Sequence, residues 1–204
     1  MKTEHDLTET LQKALTVDPD HLRRLTDQLA SAADADHVLD IANRTVDTPV
    51  GSLLLAATET GLVRVAYASE DHDQVLQSLS DRISPRILHH PARLDETARE
   101  LDEYFAHRRR TFSIDLDWRL SAGFRATVLR HLADIDYGHT ASYAAVAQLA
   151  GNPKAVRAVG TACATNPLPV IVPCHRVVRS DGSMGGYLGG LEAKATLLEL
   201  EAAA

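Results

Sequence analysis

The chain has 204 residues, 45% of them hydrophobic but only 4% aromatic, with a net charge of −7 and two cysteines. That length holds one sizeable domain or two small ones. No apolar run approaches the ~20 residues that span a bilayer, the polar, acidic opening "MKTEHDLTETLQKALTVDPD" is not a signal peptide, and two cysteines build no disulfide framework, so the expectation is a cytoplasmic protein with no membrane partner and two reduced thiols.

Residues 1–42 read as helical. In "DPDHLRRLTDQLASAA", Asp18 suits an N-cap, Pro19 suits the first helical position, and Leu22, Leu25 and Leu29 fall at helical spacing. No chemistry is visible there, and a packing extension or a partner surface accounts for it. From about residue 43 the pattern becomes β-rich: "RTVDTPVGSLLLAATETGLVRVAYA" carries turn signals at Thr48-Pro49 and at Glu59-Thr60-Gly61, a hairpin pattern. A helix over roughly Asp71–Arg82, a short strand near Ile87-Leu88, the amphipathic helix "LDETARELDEYFAHRRR" and the alternating "TFSIDLDW" follow. Residues 43–118 therefore form a small α+β domain. Its histidines, His89 and His90 included, lack the cysteine or histidine partners that zinc needs.

From Ser121 onward the chain turns helical. Ser121 can cap "AGFRATVLRHLADI", which Gly138 ends; Ser142 caps "YAAVAQLAG", which Gly151 closes. "NPKAVRAVGTACAT" supplies the next helix, with Pro153 in its first turn. Helix, short glycine turn, helix is the helix-turn-helix pattern, weak by itself. In the second helix Val156, Val159, Gly160 and Cys163 share one side, and Lys154, Arg157, Ala158 and Thr161 the other, a cationic face otherwise made of small residues. Between Arg119 and Arg179 seven Lys or Arg meet two acids, a local +5 that leaves −12 for the rest. A locally basic segment of an acidic protein can bind DNA, although chance clustering and an ordinary solvated face account for the same charges.

Cys174 stands in "NPLPVIVPCHRVVRSDGSMGGY". A zinc site would need about four ligands, and no second pair accompanies Cys174 and His175. A nucleophile needs a base or cation nearby to lower a thiol pKa of about 8.5. His175 and Arg176 follow directly, but adjacent strand side chains face apart, so Cys–His contact needs a turn or a bridging water. Pro167, Pro169 and Pro173 stiffen the segment. The residues alone leave nucleophile and buried structural thiol in balance.

"PCHRVV" after "NPLPVIV" resembles the active-site signature of the O6-alkylguanine-DNA alkyltransferases, or methylated-DNA–protein-cysteine methyltransferases, and the similarity runs from Gly138 to Glu201. The β-rich part is similar, more loosely, to the family's ribonuclease-H-like domain. The fold implied is α+β, a ribonuclease-H-like α/β domain over 43–118 followed by a helical, winged-helix-like domain with a helix-turn-helix over 119–204. Residues 1–42 have no counterpart.

The resemblance implies DNA repair by direct reversal: one alkyl group moves irreversibly from O6-alkylguanine, or O4-alkylthymine, in flipped-out duplex DNA to Cys174, with no cofactor and no metal. It implies that Glu201 orients His175, which takes the thiol proton through a water, and that Tyr143 donates to guanine N3. Asn166 braces the turn; carbonyls of Cys174 and Val177 accept from the guanine amino group; Pro169, Gly185 and Tyr187 wall the pocket. Arg157 fills the gap left by the flipped base, with Ala155 and Ala158 beside it letting the helix enter the minor groove with little sequence preference. Arg125, Ala144, Asn152 and Ser180 match backbone-contacting positions. The implied protein is a monomer. Leu188 departs from the family, where a polar residue is frequent, so only its backbone N–H can bond O6. Two other classes are distinguishable: alkyltransferase-like lesion binders replace the cysteine, which "PCHR" retains, and a cysteine hydrolase would turn over.

Overall fold

A computed structural model of the chain describes residues 18–202. Residues 1–17, part of the expected helical extension, lie outside the described residues. The chain divides into two compact units, up to Leu39 and from Asp40 onward. The first holds helix α1 (Pro19–Ala35), begun as expected: Asp18 is the N-cap, its carboxylate accepts from the Asp20 N–H at 3.0 Å, and Pro19 follows.

In the second unit, strands β1 (Ile41–Thr48), β2 (Gly51–Thr58), β3 (Gly61–Tyr67) and β4 (Ile87–His89) form one sheet of order β3-β2-β1-β4, with β4 parallel to β1 and the other pairs antiparallel. The expected hairpin is thus a three-strand meander, and β1 begins two residues before the expected boundary at 43. "LLLAA" in β2 is apolar without alternation because both sheet faces are covered. Leu53 and Leu55 join a core with Leu101 and Tyr104 of α3 (Asp95–Phe105) and the C-terminal helices. Leu54 and Ala56 meet Val75 and Leu79 of α2 (His72–Arg82), which Asp71 caps.

The C-terminal part comprises α4 (Gly123–Leu132), β5 (Ala141–Ser142), α5 (Tyr143–Leu149), α6 (Val156–Ala164), β6 (Val177–Val178) and α7 (Gly190–Ala202). Ser142 caps α5 through Ala145 N–H at 3.1 Å, and Gly151 follows its end at φ 76°. Helices α5 and α6 are the helix-turn-helix.

Several expectations are corrected. "TFSIDLDW" is no ladder strand: it meets β3 only through a Leu62–Leu116 bridge, because Asp117 then turns to cap a short 3-10 turn, Trp118–Leu120. Ser121 does not cap α4. It ends that 3-10 turn, its N–H bonding the Trp118 carbonyl at 2.8 Å, and Ala122 is the N-cap. Helix α4 stops at Leu132, well before Gly138. Pro153 and Lys154 precede α6 in a turn closed by Ala155 N–H to Asn152 O at 2.9 Å, so neither belongs to the helix. With the helix starting later, Val156 faces outward at 37% exposure, while Val159, Ala162 and Cys163 are buried.

Candidate active site

The segment between Asn166 and Pro173 folds into a compact, buried turn. Val172 N–H bonds the Leu168 carbonyl and Cys174 N–H the Val172 carbonyl, both at 2.8 Å. Val170 sits at φ 72°, a left-handed conformation that a β-branched residue adopts only when its surroundings impose it, at a cost on the order of 1–3 kcal/mol. The fully buried Asn166 side chain ties the turn together: its Oδ1 accepts from Leu168 N–H at 3.0 Å, and its Nδ2 donates to the Val172 carbonyl at 2.9 Å and to Cys174 Sγ at 3.2 Å. The brace expected of Asn166 therefore includes a direct donor to the thiol.

Cys174–Arg176 form a 3-10 turn after Pro173. His175 does not contact the thiol by a hydrogen bond. Its Nε2 bonds Glu201 Oε1 at 2.8 Å, and its buried Nδ1 has no protein partner among the described residues. With Nε2 donating to a carboxylate, the neutral ring leaves Nδ1 as its lone-pair atom. Glu201 comes from α7, whose buried face is set by Lys194, Leu197 and Glu201 at helical spacing. It also accepts from Arg176 Nε at 2.9 Å, Arg176 Nη2 at 2.9 Å, Tyr104 OH at 2.7 Å and Gly138 N–H at 3.2 Å. The sequence marks Arg176 only as a cation close to Cys174, not as a partner of Glu201, and nothing local marks Tyr104.

Burial pushes the Cys174 thiol up to about 11, against the Asn166 hydrogen bond and the Lys194 charge. Burial also lowers His175, against the Glu201 hydrogen bond. At Glu201, burial pushes up, but His175, Arg176 and Tyr104 together hold the carboxyl at about 2. Thiol and imidazole are therefore both neutral at rest, beside an ionised Glu201–Arg176 pair.

Around the thiol, the parallel pairing of β5 with β6 sets Ser142, and hence Tyr143, beside the Cys174 turn. Gly185 lies against Tyr143, where any Cβ would fall 2.3 Å from the phenol oxygen. Burial raises the Tyr143 phenol, keeping it protonated. The Val177 carbonyl accepts from the fully buried Lys194 Nζ at 2.6 Å. Pro169 is buried and Tyr187 half-buried. Tyr187 OH lies 2.9 Å from Tyr67 OH and its ring meets His175 edge-on at 6.4 Å. The Tyr67 ring underlies Gly189, where a Cβ would fall 2.5 Å from it. Leu188, with Arg125, lines a neighbouring cavity of about 460 Å³.

The remaining positions separate from this cluster. Ala144, Asn152, Arg157, Ala158 and Ser180 are exposed, Ala155 is half-buried beside them, and Arg125 donates to the Leu120 carbonyl. Cys163 is buried and its thiol is raised by burial. Among the described residues no group of three His, Cys, Asp or Glu is arranged for a metal, and no helix is long and apolar enough to cross a membrane.

Residues 123–203 match the family model described as 6-O-methylguanine DNA methyltransferase, DNA binding domain, and residues 41–118 match its ribonuclease-like domain. The chain is similar to the constitutive methylated-DNA–protein-cysteine methyltransferase of Bacillus subtilis, 38% identical over 77% of this chain and 93% of that protein. A crystal structure of Mycobacterium tuberculosis O6-methylguanine methyltransferase aligns at TM-score 0.71 and 34% identity, covering 80% of this chain and 93% of that one. A structure of Mycobacterium tuberculosis OGT in complex with DNA aligns at TM-score 0.70 and 35% identity over 79% and 93%.

Proposed function

The chain belongs to the 6-O-methylguanine-DNA methyltransferase family, DNA-binding repair proteins that transfer alkyl groups to a protein cysteine, and we propose that in this chain the acceptor is Cys174. One observation carries the assignment: Asn166 donates to Sγ while His175, anchored through Nε2 on Glu201, leaves Nδ1 with no partner among the described residues.

The step is an in-line displacement. The Sγ–C bond forms, the C–O6 bond breaks, and the electron pair leaves on the guanine. The thiol proton passes through a water to His175 Nδ1, and Tyr143 donates to guanine N3. In the net balance one proton leaves sulfur for the base and one alkyl group makes the opposite move. A thiol pushed up to about 11 by burial and a neutral imidazole keep the thiolate a minor species until the lesion docks, which slows side reactions of the cysteine between encounters. The thioether has no leaving route, so each molecule acts once. O6-alkylguanine is the substrate, and O4-alkylthymine presents the same alkyl ether.

A stacked base cannot reach a thiol that is 2% exposed, so the nucleotide is flipped. Arg157 fills the vacated stack. Ala155 and Ala158 leave room for the minor groove, where little sequence is read. Arg125, Ala144, Asn152 and Ser180 meet the backbone. Cys174 and Val177 carbonyls receive the guanine amino group, the latter alongside Lys194, within walls of Pro169, Gly185 and Tyr187; Leu188 offers its N–H to O6. The protein acts as a monomer, and its two free thiols fit the reducing cytoplasm. Intact-protein mass spectrometry after incubation with O6-methylguanine duplex tests the assignment. A single methyl on Cys174 is expected; folded protein that gains none, or gains it elsewhere, overturns it.

A further inference from the structure

The reacting atoms belong to the C-terminal part, yet the turn that carries them is held from the N-terminal sheet. Val65 of β3 donates its N–H to the Pro167 carbonyl at 2.8 Å. Beside it, Arg64 Nη1 donates to the carbonyls of Val65 at 2.9 Å, Pro167 at 3.2 Å and, at the limit of reach, Asn166 at 3.5 Å. Its Nη2 pairs with Glu70 Oε2. The other Glu70 oxygen accepts from Tyr67 N–H at 2.9 Å. Both side chains are largely covered, at 14% and 16% exposure. The acid is thus fixed by β3 backbone and by the guanidinium, and the guanidinium is left with one rigid edge aimed at two successive loop carbonyls.

We propose that Arg64 and Glu70 are a positioning pair that locks the Asn166–Pro167 backbone and so aims the Asn166 amide at Cys174 Sγ. The inference rests on the reading of Cys174 as alkyl acceptor. Asn166 can hold Leu168, Val172 and the sulfur at once only if its own backbone is fixed, since all three bonds pivot on one side chain. Its own carbonyl and that of Pro167 face β3, where Arg64 supplies the side-chain donors to them. A lysine would not substitute, because a point donor lacks the planar fork that serves several acceptors together. Glu70 neutralises a guanidinium that is mostly out of water and sets its plane. The pair also borders the 460 Å³ cavity shared with Arg125 and Leu188, so DNA contact by Arg64 is the competing role, and it has a different kinetic signature.

Single-turnover transfer from O6-methylguanine duplex separates the two. In Arg64→Met the first-order transfer constant at saturating duplex should fall about tenfold, as a modest misalignment of a reacting group does. Half-saturation should stay within about twofold, since uniform binding is untouched. Arg64→Lys should restore little. Alkylation of Cys174 by iodoacetamide, read on its peptide by mass, should slow in parallel. An unchanged transfer constant, or a loss confined to duplex affinity, overturns the proposal. If Arg64→Met does not fold, the same constants in Glu70→Gln decide. A wild-type protein that accepts no methyl would sink the acceptor assignment instead, and the iodoacetamide rates would still judge the pair: equal or faster reaction in the variants refutes it.

Discussion

The network behind Cys174 and the outer face of α6 solve opposite problems. Asn166, His175 and Glu201 are 0%, 0% and 3% exposed, and every charge there has a partner. On α6, the exposed Arg157 side chain pairs with no described residue, and the small Ala155 and Ala158 stand close to it in the chain. Proton movement needs dipoles fixed in a dry setting before the substrate arrives. Recognition of a backbone needs charge that is still unspent and side chains short enough to admit it. Changes in the first region should therefore alter stability and chemistry together, and changes in the second should alter duplex recognition alone.

The largest expected break is Cys174→Ser, which should abolish transfer while duplex binding by gel shift persists. Residual methyl gain would move the acceptor elsewhere. Next, Glu201→Gln leaves the buried Arg176 guanidinium without its carboxylate. Loss of one partner from a buried pair costs about 3–5 kcal/mol, so denaturant unfolding should register a fall of that order along with slowed transfer. An unaltered unfolding midpoint would contradict the burial argument. Acid probes the same group. Its carboxyl is held at about 2 in the fold, below its ordinary 4.5. The stability this supplies is complete above the ordinary value and drains away as pH falls from there toward 2, on the order of 3 kcal/mol in all. Melting scans against pH should drop through that window, and the drop should be smaller in Glu201→Gln, where the other depressed carboxylates still titrate.

A smaller effect is expected from alkylation itself. A new methyl on Sγ enters a turn closed by Asn166, and overpacking of this kind costs roughly 1–3 kcal/mol. Melting of the methylated protein should fall by about 5 °C; equal melting would show that the pocket has room. The smallest free-energy change, about tenfold in rate, is expected for Arg157→Ala with duplex substrate. Reaction with a free O6-alkylguanine base and the melting temperature should not move. Equal loss on both substrates would assign Arg157 to the buried region after all.

Local patterns carried much of this architecture. Asp18 before Pro19, Ser142 before "YAAV" and Gly151 after it mark helix ends through single hydrogen bonds or dihedrals, and those are local events. Ser121 misled because Asp117, four residues earlier, captured the turn and left the serine as its end. Pro153 misled because a proline that fits a first helical turn fits an ordinary turn equally well.

By itself the sequence determined the family, through the run from Gly138 to Glu201, and with it the expectation that His175 pairs with the distant Glu201. The tertiary structure alone decided what surrounds them. Tyr104 reaches Glu201 across 97 positions, Lys194 reaches the Val177 carbonyl, and Arg64 of β3 holds the Asn166–Pro167 backbone. No periodicity encodes such contacts. They arise where packed elements happen to bring a donor and an acceptor within about 3 Å, a distance that depends on the whole core and on no single stretch of it.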